Sequence, residues 1–143
     1  MQRTVAGILG DKPPEIVGVA PDDTVYEALR RMADHNIGAV VVLDGDRLVG
    51  IMSERDYARK VILMDRGSKE TRVEDIMTSE VFTISPQTTV SECMQLMTDH
   101  RIRHLPVMDG DRLVGIVSIG DIVKAVIAEQ QDLIDQLERY ITS

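Results

Sequence analysis

Aromatic side chains are almost missing from this chain: one Phe, three Tyr and no Trp among 143 residues. Its core must therefore be built from Val, Ile, Leu, Met and Ala, within a hydrophobic content of 43%. Cysteine is scarcer still. The single Cys93 excludes an intrachain disulfide and suits a reducing compartment. No long apolar run exists; the longest, Ala39–Leu43, falls far short of the ~20 residues a spanning helix needs. The amino terminus shows no signal-type apolar segment, so the cytoplasm is the expected location, with no membrane partner. Positive charge is in deficit as well, 16 Lys and Arg against 24 Asp and Glu, for a net charge of −8. That balance argues against a nucleic-acid partner, whose phosphates need a basic surface. It leaves room for a small anion in a locally basic cleft.

Catalytic signatures are equally absent. The sequence has no Ser/His/Asp arrangement, no Gly-x-Ser-x-Gly, no Gly-rich phosphate loop and no His-Glu-x-x-His. His35 and His100 have no Cys, Asp or second His at a recurrent ligand spacing, so no metal site is expected. The expectation is a protein without catalysis.

What the chain does have is a repeat. DGDRLVGIMSERD, Asp44 to Asp56, returns as DGDRLVGIVSIGD, Asp109 to Asp121, at an offset of 65 residues. The offset holds without a gap from Ile16/Val81 to Ile62/Ile127. One such half, roughly 60 residues, would bury only about 60% of its unfolded surface, and two fused halves reach about 68–70%. The expected order in each half is strand, helix, strand, strand, helix. Ile16–Val19 and Val81–Ile84 read as short first strands. Thr24-Val-Tyr-Glu27 and Thr89-Val-Ser-Glu92 read as capping boxes that open the first helices. Val25, Ala28, Leu29 and Met32, like Val90, Cys93, Met94 and Met97, recur on one helical face. Asp-Gly between apolar runs then marks two hairpins, 39–43 with 47–52 and 104–108 with 112–117.

Ahead of the second copy, RVEDIM (72–77) resembles TVAGIL (4–9), so each repeat is expected to begin with a short helical turn. The expected division is residues 1–65 for the first repeat with its lead-in, 72–128 for the second, and 129–143 for an amphipathic helix. In that tail Leu133, Ile134, Leu137 and Ile141 share a face.

Ser53-Glu-Arg-Asp56 and Ser118-Ile-Gly-Asp121 stand where a strand passes into a helix. Ser-x-x-Asp can serve there simply as a cap. The same geometry offers free amides to a phosphate, and an ionised Asp accepts hydrogen bonds from paired ribose hydroxyls. The residues leave both readings open.

The strand-helix-strand-strand-helix order, the paired DGDRLVG lines ending in Ser-x-x-Asp, and the TRVEDIM lead-in resemble tandem CBS domains, named after cystathionine β-synthase. The match covers roughly residues 4–128, and a pair of this kind resembles the small bacterial and archaeal stand-alone members. The resemblance implies an α/β (α+β) fold: two CBS repeats of β-α-β-β-α order, packed sheet to sheet with pseudo-two-fold symmetry. It implies two composite clefts for adenosine-containing ligands. One would comprise Ser53, Arg55 and Asp56 with Phe82, Ile102, Arg103 and His104; the other Ser118 and Asp121 with Lys12, Val17, Ile37, Gly38 and Ala39. Where the second copy has Arg103-His104-Leu105-Pro106, the first has Gly38-Ala39-Val40-Val41, and Arg55 is matched by Gly120. Cationic groups thus gather on the first cleft, where Arg can grip phosphate with paired donors. The expected function is a regulatory module sensing an adenine nucleotide, AMP foremost, with ADP, ATP, NAD or S-adenosylmethionine as alternatives. A homodimer is expected, with a regulated protein partner possible. A ligand-independent interaction scaffold is the rival reading.

Overall fold

The computed structural model describes residues 3–10 and 15–142. Packing divides the chain into two units: Glu15–Phe82, and Thr83–Ser143 joined by the amino-terminal segment.

The first unit opens on β1 (Gly18–Val19) and α2 (Val25–His35), preceded in the chain by α1 (Val5–Gly10). Thr24 caps α2 by accepting from the Glu27 N–H at 3.1 Å. The expected capping box is only half made here, because the Glu27 carboxylate turns instead to Arg31, 3.4 Å away. Asn36 ends the helix at φ 53°, a left-handed conformation that Asn tolerates better than most residues. Strands β2 (Ala39–Asp44) and β3 (Arg47–Ser53) pair antiparallel, and β1 lies parallel to β2. Gly45 takes the first loop position at φ 63°, as a II′ hairpin turn requires. A bulge at Val42/Leu43 adds twist before the turn. Helix α3 (Glu54–Tyr57) runs into a π turn, Ala58–Ile62, and the chain folds back after Asp65 at φ 55°. Val25, Ala28, Met32, Val40, Val42, Met52 and Val61 are buried together. No aromatic ring is among the fully buried residues.

The second unit repeats this with α4 (Val90–His100), β4 (His104–Asp109), β5 (Arg112–Ser118) and α5 (Ile119–Thr142). Here the capping box is complete, Thr89 and Glu92 satisfying each other's amides at 3.1 and 3.2 Å. The register of β4 on β5, including the bulge, copies the first unit residue for residue. Cys93 is buried as expected at the position of Ala28. Burial, and secondarily Glu92 beside it, pushes its thiol from 9.0 up to about 11.

The expected first strands are shorter than the sequence suggests. In the first unit the strand contracts to Gly18–Val19, while Val81–Ile84 forms no strand at all, only a bridge from Ile84 to Val107. Proline explains the difference. Val41 donates its N–H to the Val17 carbonyl at 3.4 Å, but the matching position in the second unit is Pro106, which has no N–H to give.

The two lead-ins settle where chain order does not put them. Val5 and Ile8 belong to the core of the second unit, and Val73 and Ile76 to that of the first. The contacts are equivalent: Val5 and Ala6 donate to the Thr88 and Pro86 carbonyls, as Val73 and Glu74 donate to Asp23 and Pro21, all at 2.8–2.9 Å. The segment 1–65 is therefore a stretch of sequence rather than one packed body. The first unit's last helix stops at a π turn and the chain doubles back through residues 66–71, delivering 73–77 onto its own repeat. Helix α5 continues to Thr142, and residues 4–9 take the equivalent seat on the second unit. Of the tail expected at 129–143, residues 129–142 are the continuation of this one helix.

Candidate ligand-binding site

Each repeat closes on the same junction, where a strand ends in Ser and a helix starts. In the first, Ser53 at φ −114° and ψ 164° is extended, and its hydroxyl accepts from the Asp56 N–H at 3.2 Å. The Asp56 carboxylate returns through Oδ2 to the Ser53 N–H at 3.0 Å and hydroxyl at 3.2 Å. In the second, Asp121 Oδ2 accepts from the Ser118 N–H at 2.8 Å and hydroxyl at 3.1 Å, and Ser118 accepts from the Asp121 N–H at 3.2 Å. Both acids thus complete capping boxes, an arrangement worth about 1 kcal/mol per cap. The capping geometry anticipated from Ser-x-x-Asp is present twice.

Beside each junction lies the start of the hairpin's first strand. Ala39 is paired with Ser53, and the Gly38 carbonyl accepts from the Glu54 N–H at 3.0 Å. In the second unit His104 is paired with Ser118, and the Arg103 carbonyl accepts from Ile119 at 2.8 Å. Gly38–Ala39 thus adjoin the Ser53–Glu54 step, and Arg103–His104 the Ser118–Ile119 step, within their own units. Ile37 and Val17 pack partly against the first core, Ile102 against the second. Arg55 and Arg103 are exposed, His104 is half-buried, and Phe82 is exposed ahead of Ile84. Lys12 lies outside the described residues.

Two residues at the first junction escaped the sequence reading. Lys60 Nζ lies 3.1 Å from Asp56 Oδ1, and the Thr78 hydroxyl donates to the same oxygen at 3.3 Å. Lys60 stands four residues after Asp56, a spacing that pairs side chains along a helix, so this contact was legible. Thr78 reaches the site from the following lead-in and could not be placed from spacing. Among the described residues no three His, Cys, Asp or Glu side chains group as a metal site. None of their helices is long and apolar enough to cross a membrane.

The CBS-domain family model matches residues 12–63 and 73–128. This chain belongs to the CBS-domain family. It carries the domain twice in tandem, on the mixed helix-and-sheet fold expected. A solved CBS-domain protein from Burkholderia ambifaria MC40-6 is 55% identical, with a TM-score of 0.86 over 89% of this chain and 96% of that one. The solved CBS domain pair of protein MJ0100 is in complex with 5′-methylthioadenosine and S-adenosyl-L-methionine. It is 29% identical, with a TM-score of 0.79 over 90% of this chain and 99% of that one. The mitochondrial CBS domain-containing protein CBSX3 of Arabidopsis thaliana is 50% identical over 125 residues, 84% of this chain. This chain spans only 61% of that relative's length.

Proposed function

We propose that this chain is a non-catalytic regulatory module binding an adenosine-containing ligand, AMP ahead of ADP, ATP, NAD or S-adenosylmethionine. The observation that carries the reading is the twin junction: two Ser-x-x-Asp helix starts with matching geometry, each with its acid only partly buried. The MJ0100 domain pair, whose two bound ligands share an adenosine moiety, supports it by likeness. Asp56 and Asp121 accept the ribose hydroxyls. Arg55 in the first unit and Arg103 in the second offer the guanidinium donors a phosphate needs, and His104 offers a ring nitrogen beside Arg103. The ligand signals by binding one arrangement of the protein more tightly than another.

The same module is proposed to act as a homodimer. Val123, Ile127, Ile134, Leu137 and Ile141 are all exposed on α5 and fall on one heptad seam, in which Gln130 takes the position between Ile127 and Ile134. A different side of this helix is already used by its own unit, where Arg3 pairs with Asp132 at 3.0 Å and its N–H reaches Glu129.

A thermal-shift and calorimetric screen against adenosine, AMP, ADP, ATP, NAD and S-adenosylmethionine tests the reading. A ligand at a hundred times its Kd should stabilise the protein by about 2.7 kcal/mol. The rival scaffold reading draws on the capping boxes, which account for Oδ2 of both acids without any ligand. Absence of a shift with every compound would favour it, and turnover of any of them would reveal an enzyme.

A further inference from the structure

Asp56 Oδ2 is used by Ser53, and Oδ1 is covered from two sides. Lys60 Nζ sits 3.1 Å from Oδ1 and also donates to the Ile76 carbonyl at 3.0 Å, which fixes the ammonium in place. The Thr78 hydroxyl approaches Oδ1 at 3.3 Å, and its backbone is pinned by two hydrogen bonds with Ile51, at 2.9 and 3.0 Å. The Asp56 side chain is 14% exposed, Lys60 44%. A diol entering here meets a carboxylate whose outer oxygen already holds an ammonium and a hydroxyl.

We infer that Lys60 is a specificity-determining residue of the first repeat, a latch that competes with ribose hydroxyls for Asp56 Oδ1 and so weakens ribose recognition there. The inference rests on the reading that Asp56 accepts a ribose. Its physical basis is occupancy: a carboxylate oxygen offers about two lone-pair sites, and Lys60 and Thr78 fill both. A ribonucleoside must displace a charge-assisted bond before it gains its own. In the second repeat the positions matching Lys60 and Thr78 are Ala125 and Gly10, so the same two side chains do not recur there.

The test is Lys60→Met, which keeps the aliphatic stem, with Lys60→Arg as the variant that retains the charge. Binding of adenosine and 2′,3′-dideoxyadenosine is followed by NMR at the Ser53 and Asp56 amides, which report on this acid locally. Adenosine should bind Lys60→Met about tenfold more tightly than wild type, the value of one charge-assisted hydrogen bond. The dideoxy compound should be unaffected, and Lys60→Arg should stay near wild type. Thr78→Val should tighten adenosine by less, about two- to threefold, because a neutral hydroxyl is the weaker competitor. Unchanged or weaker adenosine binding in Lys60→Met, with wild type still binding, overturns the latch and leaves the ribose reading standing. If neither compound shifts these amides in any variant, Asp56 is no ribose acceptor and the latch falls with it.

Discussion

Adding a single methyl group at Gly50 or Gly115 should have unequal costs, although the two glycines are repeat counterparts in the same LVG strand. A Cβ at Gly50 would stand 2.5 Å from Met77 Sδ, 3.0 Å from Met77 Cγ and 3.1 Å from the Thr78 carbonyl oxygen. The Met side chain can swing aside. The carbonyl cannot, because Thr78 is bonded to Ile51 through both its N–H and its C=O. At Gly115 the close atom is Leu9 Cδ2 at 2.7 Å, and the next two, both on Leu9, stand at 3.6 Å or beyond. A changed Leu9 rotamer relieves that contact, at about 0.5–1.5 kcal/mol. Overpacking against fixed backbone costs about 1–3 kcal/mol, with Gly50 at the upper end. Each Gly→Ala change also recovers about 0.4–1 kcal/mol by restricting the unfolded chain.

The net expectation is a loss of about 2 kcal/mol for Gly50→Ala and about 0.5 kcal/mol or less for Gly115→Ala. Urea unfolding measures it as a shift in midpoint at constant slope. Combining Gly50→Ala with Met77→Ala should recover only a minor part of the loss, because the carbonyl contact remains. Equal losses at the two glycines, or full recovery in the double variant, would refute the claim that the pinned Thr78 backbone sets the cost.

Three other outcomes follow from the structure. Cys93 should resist alkylation in the native state at pH 8. Because its folded pKa is raised from 9.0 to about 11, its contribution is intact below pH 9 and is lost as pH rises to 11; Cys93→Ala should flatten that alkaline loss in a pH series of melting curves. Arg103→Ala should weaken AMP by about tenfold or more while leaving adenosine nearly unchanged in calorimetry, and equal losses for the two would remove Arg103 from phosphate binding. Ile134→Lys with Leu137→Lys should give a monomer by light scattering at low micromolar concentration; a variant that stays dimeric would place the interface on the repeats instead. Truncation after Ala128 is the poorer experiment, since it also removes Glu129 and Asp132, the partners of Arg3.

The hairpins, the helices and most of their faces were legible because each rests on local chemistry: Asp-Gly at a two-residue turn, Thr at a helix start, apolar residues at helical spacing; Met94, expected on the buried face of α4, is exposed. Ser53 and Ser118 were legible as caps for the same reason. The lead-ins were not. TVAGIL and RVEDIM announce a similar seat, but which repeat offers it is settled by packing against residues distant in sequence, Thr88 and Pro86 for the one, Asp23 and Pro21 for the other. The lost strand at Val81–Ile84 was a near miss. Pro106 was visible in the sequence, yet its effect falls on a partner strand more than twenty residues away. Thr78 at Asp56 belongs with the lead-ins, since nothing in its neighbourhood points to the acid it touches.

Cap and ligand acceptor, which the sequence poses as rivals, would on the proposed reading draw on different atoms of the same carboxylate. Capping consumes Oδ2 in both repeats. On the proposed reading a ribose would need an acceptor that capping does not consume, and in the first repeat the oxygen left for it is Oδ1, where Lys60 and Thr78 sit. Replacing Asp56 by Asn therefore cannot separate the two roles cleanly. It disturbs the cap, breaks the Lys60 pair and alters the ligand oxygen in a single step. Of the two carboxylate oxygens, changing Lys60 touches only the outer one and leaves the Ser53 box intact, at the cost of the bond to the Ile76 carbonyl. A tightening of adenosine without loss of apo stability would then mean that one aspartate holds the helix start with one oxygen and reads the ligand with the other.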